Sequence, residues 1–266
     1  MRRIMNKSCC TAANIAYDDM ESDHSHRLFI GCAGWGIPSA LRQCFPVEGS
    51  HLERYAAVLP AVEINTSFYR SHRPATYARW RDSVPASFRF AVKIPKAITH
   101  ERRLRETDET LAVFIDEVSH LDGKLGCLLV QLPPSLHYDR KIAQPFFTRM
   151  RSLTRVSVAC EARHATWFSR EACDMLREFD IVQVRADPLV VPLPAFSMHG
   201  DLVYLRLHGS PQMYHSSYDE AFLDRLAAEI RDYLRSGKKV WCVFDNTASG
   251  AAQPNALSLL GRFSPT

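Results

Sequence analysis

Eight short apolar runs punctuate this chain, and each gives way to polar residues: FIGCAGW (29–35), AVEIN (61–65), FRFAVK (88–93), CLLVQL (127–132), VSVACE (156–161), IVQVRAD (181–187), LVYLRLH (202–208) and VWCVFDN (240–246). Seven of them carry a hydrogen-bonding or ionisable group at or near the C-terminal end: Asn65, Lys93, Gln131, Glu161, Asp187, His208 and Asp245. Runs this short, rich in Val, Ile, Leu and Phe, suit strands buried on both faces. Between them lie segments with helical spacing, at 51–59, 110–121, 138–153, 170–179 and 221–234. Pro145 is expected to interrupt the third of these or to start a new helix. Strands alternating with helices imply βα units and a parallel sheet. The fold class expected is α/β, a (β/α)8 TIM-barrel-like closed parallel barrel. The stretch PLVVPLPAF (188–196), with three prolines, makes the sixth crossover irregular. In such a barrel the active site lies at the C-terminal rim, where the polar strand ends gather.

The totals are compatible with that picture. A chain of 266 residues suits one barrel, for which about 250 residues is typical. The organisation expected is a polar, poorly ordered tail over 1–26 and one barrel domain over 27–266. The tail lacks the apolar core of a secretory signal, and no apolar stretch reaches the ~18 residues of a membrane span. Net charge is +4, which permits an anionic ligand without demanding nucleic acid. The eight cysteines show no CxxC spacing, and four fall inside predicted strands, where they read as small buried hydrophobes. A reduced, cytoplasmic setting is the expectation.

Three residue sets carry candidate chemistry. The acidic and imidazole set is Glu63, Glu161, His164, Asp187, His208 and Asp245. Such groups can act as general acids and bases or ligate a divalent metal. They can equally be ion-pair partners of Lys93, Arg163 or Arg206. The cationic set centres on Lys93, Arg163 and Arg206, at or beside strand ends, and suits a carboxylate or phosphate. Arg206 and His208, two apart, point to the same side of their strand. Asn65, Asn246, Tyr69 and Trp167 follow strand ends closely and complete the candidate binding residues. The loop 245–256 (DNTASGAAQPNA) is rich in small residues before a helix start near Pro254. It reads either as an anion cradle or as a tight packing turn. No GxSxG, HExxH, GxGxxG or P-loop pattern is present.

The blocks GCAGW (31–35), VEINTSFYR (62–70), FRFAVKIPKAITHERRL (88–104), KLGCLLVQLPPS (124–135), EARHATWF (161–168), YLRLHG (204–209) and FDNTASGAAQPNA (244–256) resemble, in order, those of the DUF72 (YecE-like) family. The resemblance spans about residues 28–262. It implies a TIM-barrel-like fold and no established activity. Taken with the rim residues, the expected function is a barrel-mouth hydrolase or lyase acting on a phosphorylated or other anionic substrate. A metal-dependent phosphoester hydrolase is one form of it. The alternative is a non-catalytic nucleic-acid or nucleotide-binding module.

Overall fold

A computed structural model describes residues 26–192, 194 and 199–264. Apart from His26, the predicted tail lies outside the described residues, as do Leu193 and 195–198 of the proline-rich crossover. Nine parallel strands form the sheet: β1 (Leu28–Ala33), β2 (Ala61–Ile64), β3 (Arg89–Lys93), β4 (Leu125–Gln131), β5 (Ser157–Glu161), β6 (Ile181–Gln183), β7 (Arg185–Asp187), β8 (Leu202–Leu207) and β9 (Lys239–Phe244). Their order is β6-β5-β4-β3-β2-β1-β9-β8-β7. β6 and β7 are two halves of the single run read at 181–187, parted at Val184. The Val184 amide still donates to the Cys160 carbonyl on β5, at 2.9 Å, while Arg185 pairs with Leu205 on β8. The ring therefore closes through the chain itself, and eight runs make one barrel.

The helices are α1 (His51–Ala56), α2 (Thr66–Tyr69), α3 (Pro74–Asp82), α4 (Asp108–Ser119), α5 (Arg140–Leu153), α6 (Arg170–Glu178), α7 (Glu220–Arg235) and α8 (Ala252–Gly261). Local sequence sets their starts. Ser50 and Glu53 form a reciprocal capping box on α1, and Asp219 accepts from the Phe222 amide at the start of α7. Helix α5 runs through Pro145 without a break. Pro145 stands on the exposed face and forfeits one backbone bond, while Phe146, Phe147 and Met150 bury the opposite face. No helix is present among the described residues between Asp187 and Leu202, in keeping with the prolines there. Among the described residues, no helix is long and apolar enough to cross a membrane.

Two apolar layers result from the period of the strands. One set of strand residues, including Ile30, Val62, Phe90, Val92, Leu128 and Val130, packs against the helices. The other set turns inward: Phe29, Ala61, Ala91, Cys127, Leu129, Ala159, Tyr204, Trp241 and Val243. Small residues on several strands make room for Trp241, which stacks near Tyr204 at 5.9 Å between centroids. Gly126 belongs to the same accommodation, because a Cβ there would stand 2.6 Å from the Trp241 ring. One period further along the strands, the inward positions become Glu63, Lys93, Glu161, Arg206 and Asp245. The alternation that builds the core thus delivers the charged groups to the C-terminal mouth.

Candidate active site at the barrel mouth

Arg206, fully buried, organises the mouth. Its guanidinium donates to Glu63 from Nε (3.1 Å to Oε2) and Nη2 (2.8 Å to Oε1) and to Glu161 from Nη1 (2.9 Å), and Nη2 lies 3.1 Å from Asp245 Oδ2. Tyr204, one inward position below, donates its hydroxyl to Glu63 Oε2 at 2.7 Å. His208 bridges the outer pair: Nδ1 lies 2.9 Å from Asp245 Oδ2 and Nε2 lies 2.8 Å from Glu161 Oε1. A carboxylate only accepts, so both contacts favour a protonated ring, whereas Arg163 Nη2, a donor 3.1 Å from Nε2, opposes it. Burial opposes that charge, but the bonds to Asp245 and Glu161 outweigh it and raise the imidazole pKa. Burial likewise opposes the Glu161 and Asp245 charges, yet Arg206 and His208 hold both carboxyls below their ordinary range.

Three polar atoms of this network remain open. Asp245 spends Oδ2 on both of its contacts, and Oδ1 makes no hydrogen bond with any described residue. Arg163 donates to Glu161 through Nε at 2.9 Å, while its Nη1 meets only the Met213 sulfur, at 3.9 Å. Lys93 Nζ stands 4.1 Å from the centre of the Phe68 ring and makes no hydrogen bond or ion pair with any described residue. Burial, and the nearby Arg206 charge, lower the Lys93 pKa to about 8, although Glu63, Asp245 and Glu161 pull the other way. Three carboxylates thus face four cationic groups when Lys93 and His208 are both protonated. His100, from the turn of π-helix at Ala97–Glu101, lies edge-on to Phe68 at 4.9 Å. Its pKa is lowered by burial and by Lys93 and Arg163.

The loop after β8 covers this mouth. Gly209 has φ +93°, and a Cβ there would meet the Ser216 carbonyl at 2.8 Å. Tyr214, held at φ +67°, sets its ring edge-on to His208 at 5.7 Å. The 245–256 loop is knitted to the same segment. Its Ala248 amide donates to Tyr214, and Asn255 accepts from the Tyr218 amide and from Asn246 Nδ2. Gly250 N donates within the loop, to Thr247. These bonds favour the packing turn over the anion cradle.

The remaining expected residues are placed differently. Arg206 cannot hold a substrate, since its guanidinium is spent on carboxylates. His164 caps the helical turn at Ala165–Phe168, bonds Thr166 and stacks on His137 at 3.7 Å. Trp167 is buried, and its indole N–H donates to the Leu136 carbonyl, so it offers no stacking face. Asp187 accepts from the Tyr218 hydroxyl at 2.8 Å, at the edge of the mouth. Tyr69 is exposed. Asn65 and Asn246 each have a buried Oδ1 without a donor among the described residues. Tyr204 was not among the expected site residues, and the inward period through Tyr204, Arg206 and His208 was the signal for it. His100, in the basic stretch after β3, and Phe68, an aromatic just past β2, are candidates by their place beside strand ends, and the structure brings both against Lys93.

Among the described residues, no group of three or more His, Cys, Asp or Glu side chains is arranged to hold a metal ion. The reason is visible in the contacts. The carboxylates that would ligate one converge instead on the Arg206 guanidinium, which takes the place of a cation. The residues present do not fit a divalent metal. The four strand cysteines do not enter the site: Cys32, Cys127, Cys160 and Cys242 are buried, and burial pushes their thiols up, that of Cys32 to about 12.

A closed parallel barrel with a charged C-terminal mouth defines the class, and the sequence defines the family. Residues 29–265 match the model of "Protein of unknown function DUF72", and the chain belongs to that family. It is 22% identical over 266 aligned residues to UPF0759 protein YunF of Bacillus subtilis, covering 88% of this chain and 93% of that one. A segment of 106 residues is 33% identical to UPF0759 protein YecE of Escherichia coli, but it covers only 38% of that protein and 40% of this chain. Among solved structures, the fold is shared with a DUF72 family protein of Enterococcus faecalis (TM-score 0.76, 21% identity, 90% of this chain and 96% of the other). It is also shared with one of Thermotoga maritima (TM-score 0.74, 24% identity, 88% and 98%).

Proposed function

We propose that the barrel mouth is the active site of a lyase-type enzyme for a small anionic substrate. The observation that carries this reading is the pattern of satisfied and open groups. Glu63, Glu161, Arg206 and His208 saturate one another and form a rigid charged floor. Lys93 Nζ, Arg163 Nη1 and Asp245 Oδ1 stay open above it. Arg163 Nη1 holds the anionic group, as a guanidinium suits carboxylate or phosphate. Lys93, with a pKa near the operating range, transfers the proton. The ionised Asp245 steadies positive charge that develops beside it. Hydrolysis through a bound metal is disfavoured, because Arg206 occupies the carboxylates such a mechanism would use.

Two measurements test the reading. Titration calorimetry with inorganic phosphate at pH 7 is expected to show binding that weakens at least about tenfold in Arg163→Gln, the loss of one charge-assisted contact. A panel of phosphorylated and carboxylate substrates, followed by mass spectrometry, is expected to show turnover in the native protein and none in Asp245→Asn. Absence of phosphate binding together with equal product profiles would reject it. The nucleic-acid reading draws less support, since in the basic stretch ITHERRLR (98–105) Arg102 donates to the Glu106 carbonyl and Arg103 to the Ser135 carbonyl.

A further inference from the structure

We propose that Lys93 is a covalent catalytic residue, whose Nζ condenses with the carbonyl carbon of a small aldehyde or ketone that also carries an anionic group. This rests on the reading above for the location of the site and for the anion, and adds the carbonyl as the reacting function.

The argument starts from what Lys93 lacks. Three ionised carboxylates lie in the same mouth, and a lysine serving only as a counter-ion would pair with one. Lys93 pairs with none of them and lies instead on the face of Phe68. The oxygens of Glu63 and Glu161 are committed to Arg206, Arg163, His208 and Tyr204, and the one open oxygen, Asp245 Oδ1, makes no ion pair with the ammonium. The residue is 8% exposed, at an inward position on the C-terminal end of β3. Attack on a carbonyl needs the neutral amine, and the burial that strips Lys93 of water also favours that form. The facing groups are Glu63 from β2, Glu161 from β5, Arg206 from β8, Asp245 after β9, and His100 from the turn after β3, which Arg163 also reaches. Arg163, whose charge acts on the same His100 as Lys93 does and whose Nη1 meets only the Met213 sulfur, is assigned the anionic group of the same molecule.

The step balances without an oxidant or reductant. The Lys93 lone pair forms the C–N bond as the carbonyl π pair moves to oxygen; the nitrogen gives up one proton and the oxygen takes up one, giving a neutral carbinolamine. The hydroxyl then takes up a second proton and leaves as water while the nitrogen lone pair forms C=N, giving the iminium. Loss of the remaining N–H proton gives the imine, so that amine plus carbonyl yields imine plus water. Asp245, Glu161 and Glu63 supply negative charge around the iminium.

The test uses the full chain, glyoxylate as the probe and sodium cyanoborohydride to reduce the imine to a stable carboxymethyl-lysine, located by peptide mapping at pH 8. The reference is Lys96, which pairs at the surface with Glu101 at 3.2 Å. Lys93 is expected to label at least about tenfold faster than Lys96, as its lowered pKa leaves more neutral amine. Inorganic phosphate is expected to slow labelling of Lys93 alone. Lys93→Arg, which keeps the cation, is expected to bind phosphate but to acquire no adduct at that position. Labelling of Lys93 no faster than Lys96, with phosphate binding intact, would overturn the covalent assignment and leave the anion site standing. Fast labelling without phosphate binding would support the covalent assignment and remove the anion from the substrate description. If the variant fails to fold, the ratio of the two lysines in the native protein still decides.

Discussion

A lysine at the end of an apolar strand must find a carboxylate, reach water or lose its proton. Lys93 takes the third course in part, and stability should record it. Its pKa falls from 10.5 in an ordinary setting to about 8 in the fold. Between these values the folded protein binds fewer protons than the unfolded chain, so native stability rises with pH across that window. Below about pH 8 the full cost of the buried ammonium is present. Lys93→Met should therefore be more stable than the native protein by about 2–3 kcal/mol at pH 7, with the gap closing toward pH 10.5. Urea denaturation of both proteins at pH 7, 9 and 10 measures it, and a gap independent of pH would contradict the assignment. Arg206 should behave in the opposite way. Arg206→Met leaves three buried carboxylates without their common partner and should cost about 3–5 kcal/mol, part of it regained by adding Glu63→Gln. At this scale the sequence was informative but not decisive. The polar ends of the runs named Lys93, Glu161, His208 and Asp245, an acid inside the second run named Glu63, and position at or beside strand ends named Arg163 and Arg206. Nothing local separated the saturated groups from the open ones, because that depends on which oxygen of each carboxylate Arg206 reaches.

Strands and helices were far more legible than the site, since burial on both faces of a parallel strand writes itself as a continuous apolar run. All eight runs became strands, with the one at 181–187 parted at Val184. Helix α5 is where the reading of the sequence failed. Pro145 should stop a helix on backbone grounds, but the face carrying Ala143, Phe146, Phe147 and Met150 buries enough apolar surface to carry the helix past it. The backbone cost should still be there to recover. Pro145 is exposed, so its ring contributes little packing that a substitution would forfeit. Pro145→Ala should restore one amide donor and raise stability by about 1–3 kcal/mol, read as an increase in thermal midpoint. A fall would show that the ring serves the groove beside it, which is lined by Lys141, Gln144, Thr148 and Arg149.

At the scale of the whole molecule, the charged floor acts as a clasp between distant parts of the chain. Arg206 joins Glu63 across 143 positions in sequence and Glu161 across 45, and His208 joins Asp245 across 37. Barrel closure brings these partners together, so no local pattern could announce the pairing, and the clasp should fail as a unit when its carboxylates are protonated. Glu161 and Asp245 have folded pKa values below their ordinary 4.5 and 3.8, for although burial opposes their charge, Arg206 and His208 favour it. Their contribution is fully present above about pH 4.5 and is lost as pH falls through the folded values. His208 has the opposite sign: its raised pKa contributes stability below 6.5 that is lost as pH rises through the folded value. Urea midpoints should therefore fall steeply below pH 4.5. The difference between the native protein and Glu161→Gln should shrink as pH is lowered from 5 to 2, because the unfolded chain then binds a proton at Glu161 that the folded state excludes. A difference constant over that range would mean that Glu161 is not held ionised by Arg206, and the clasp would have to be assigned to Glu63 and Asp245 alone.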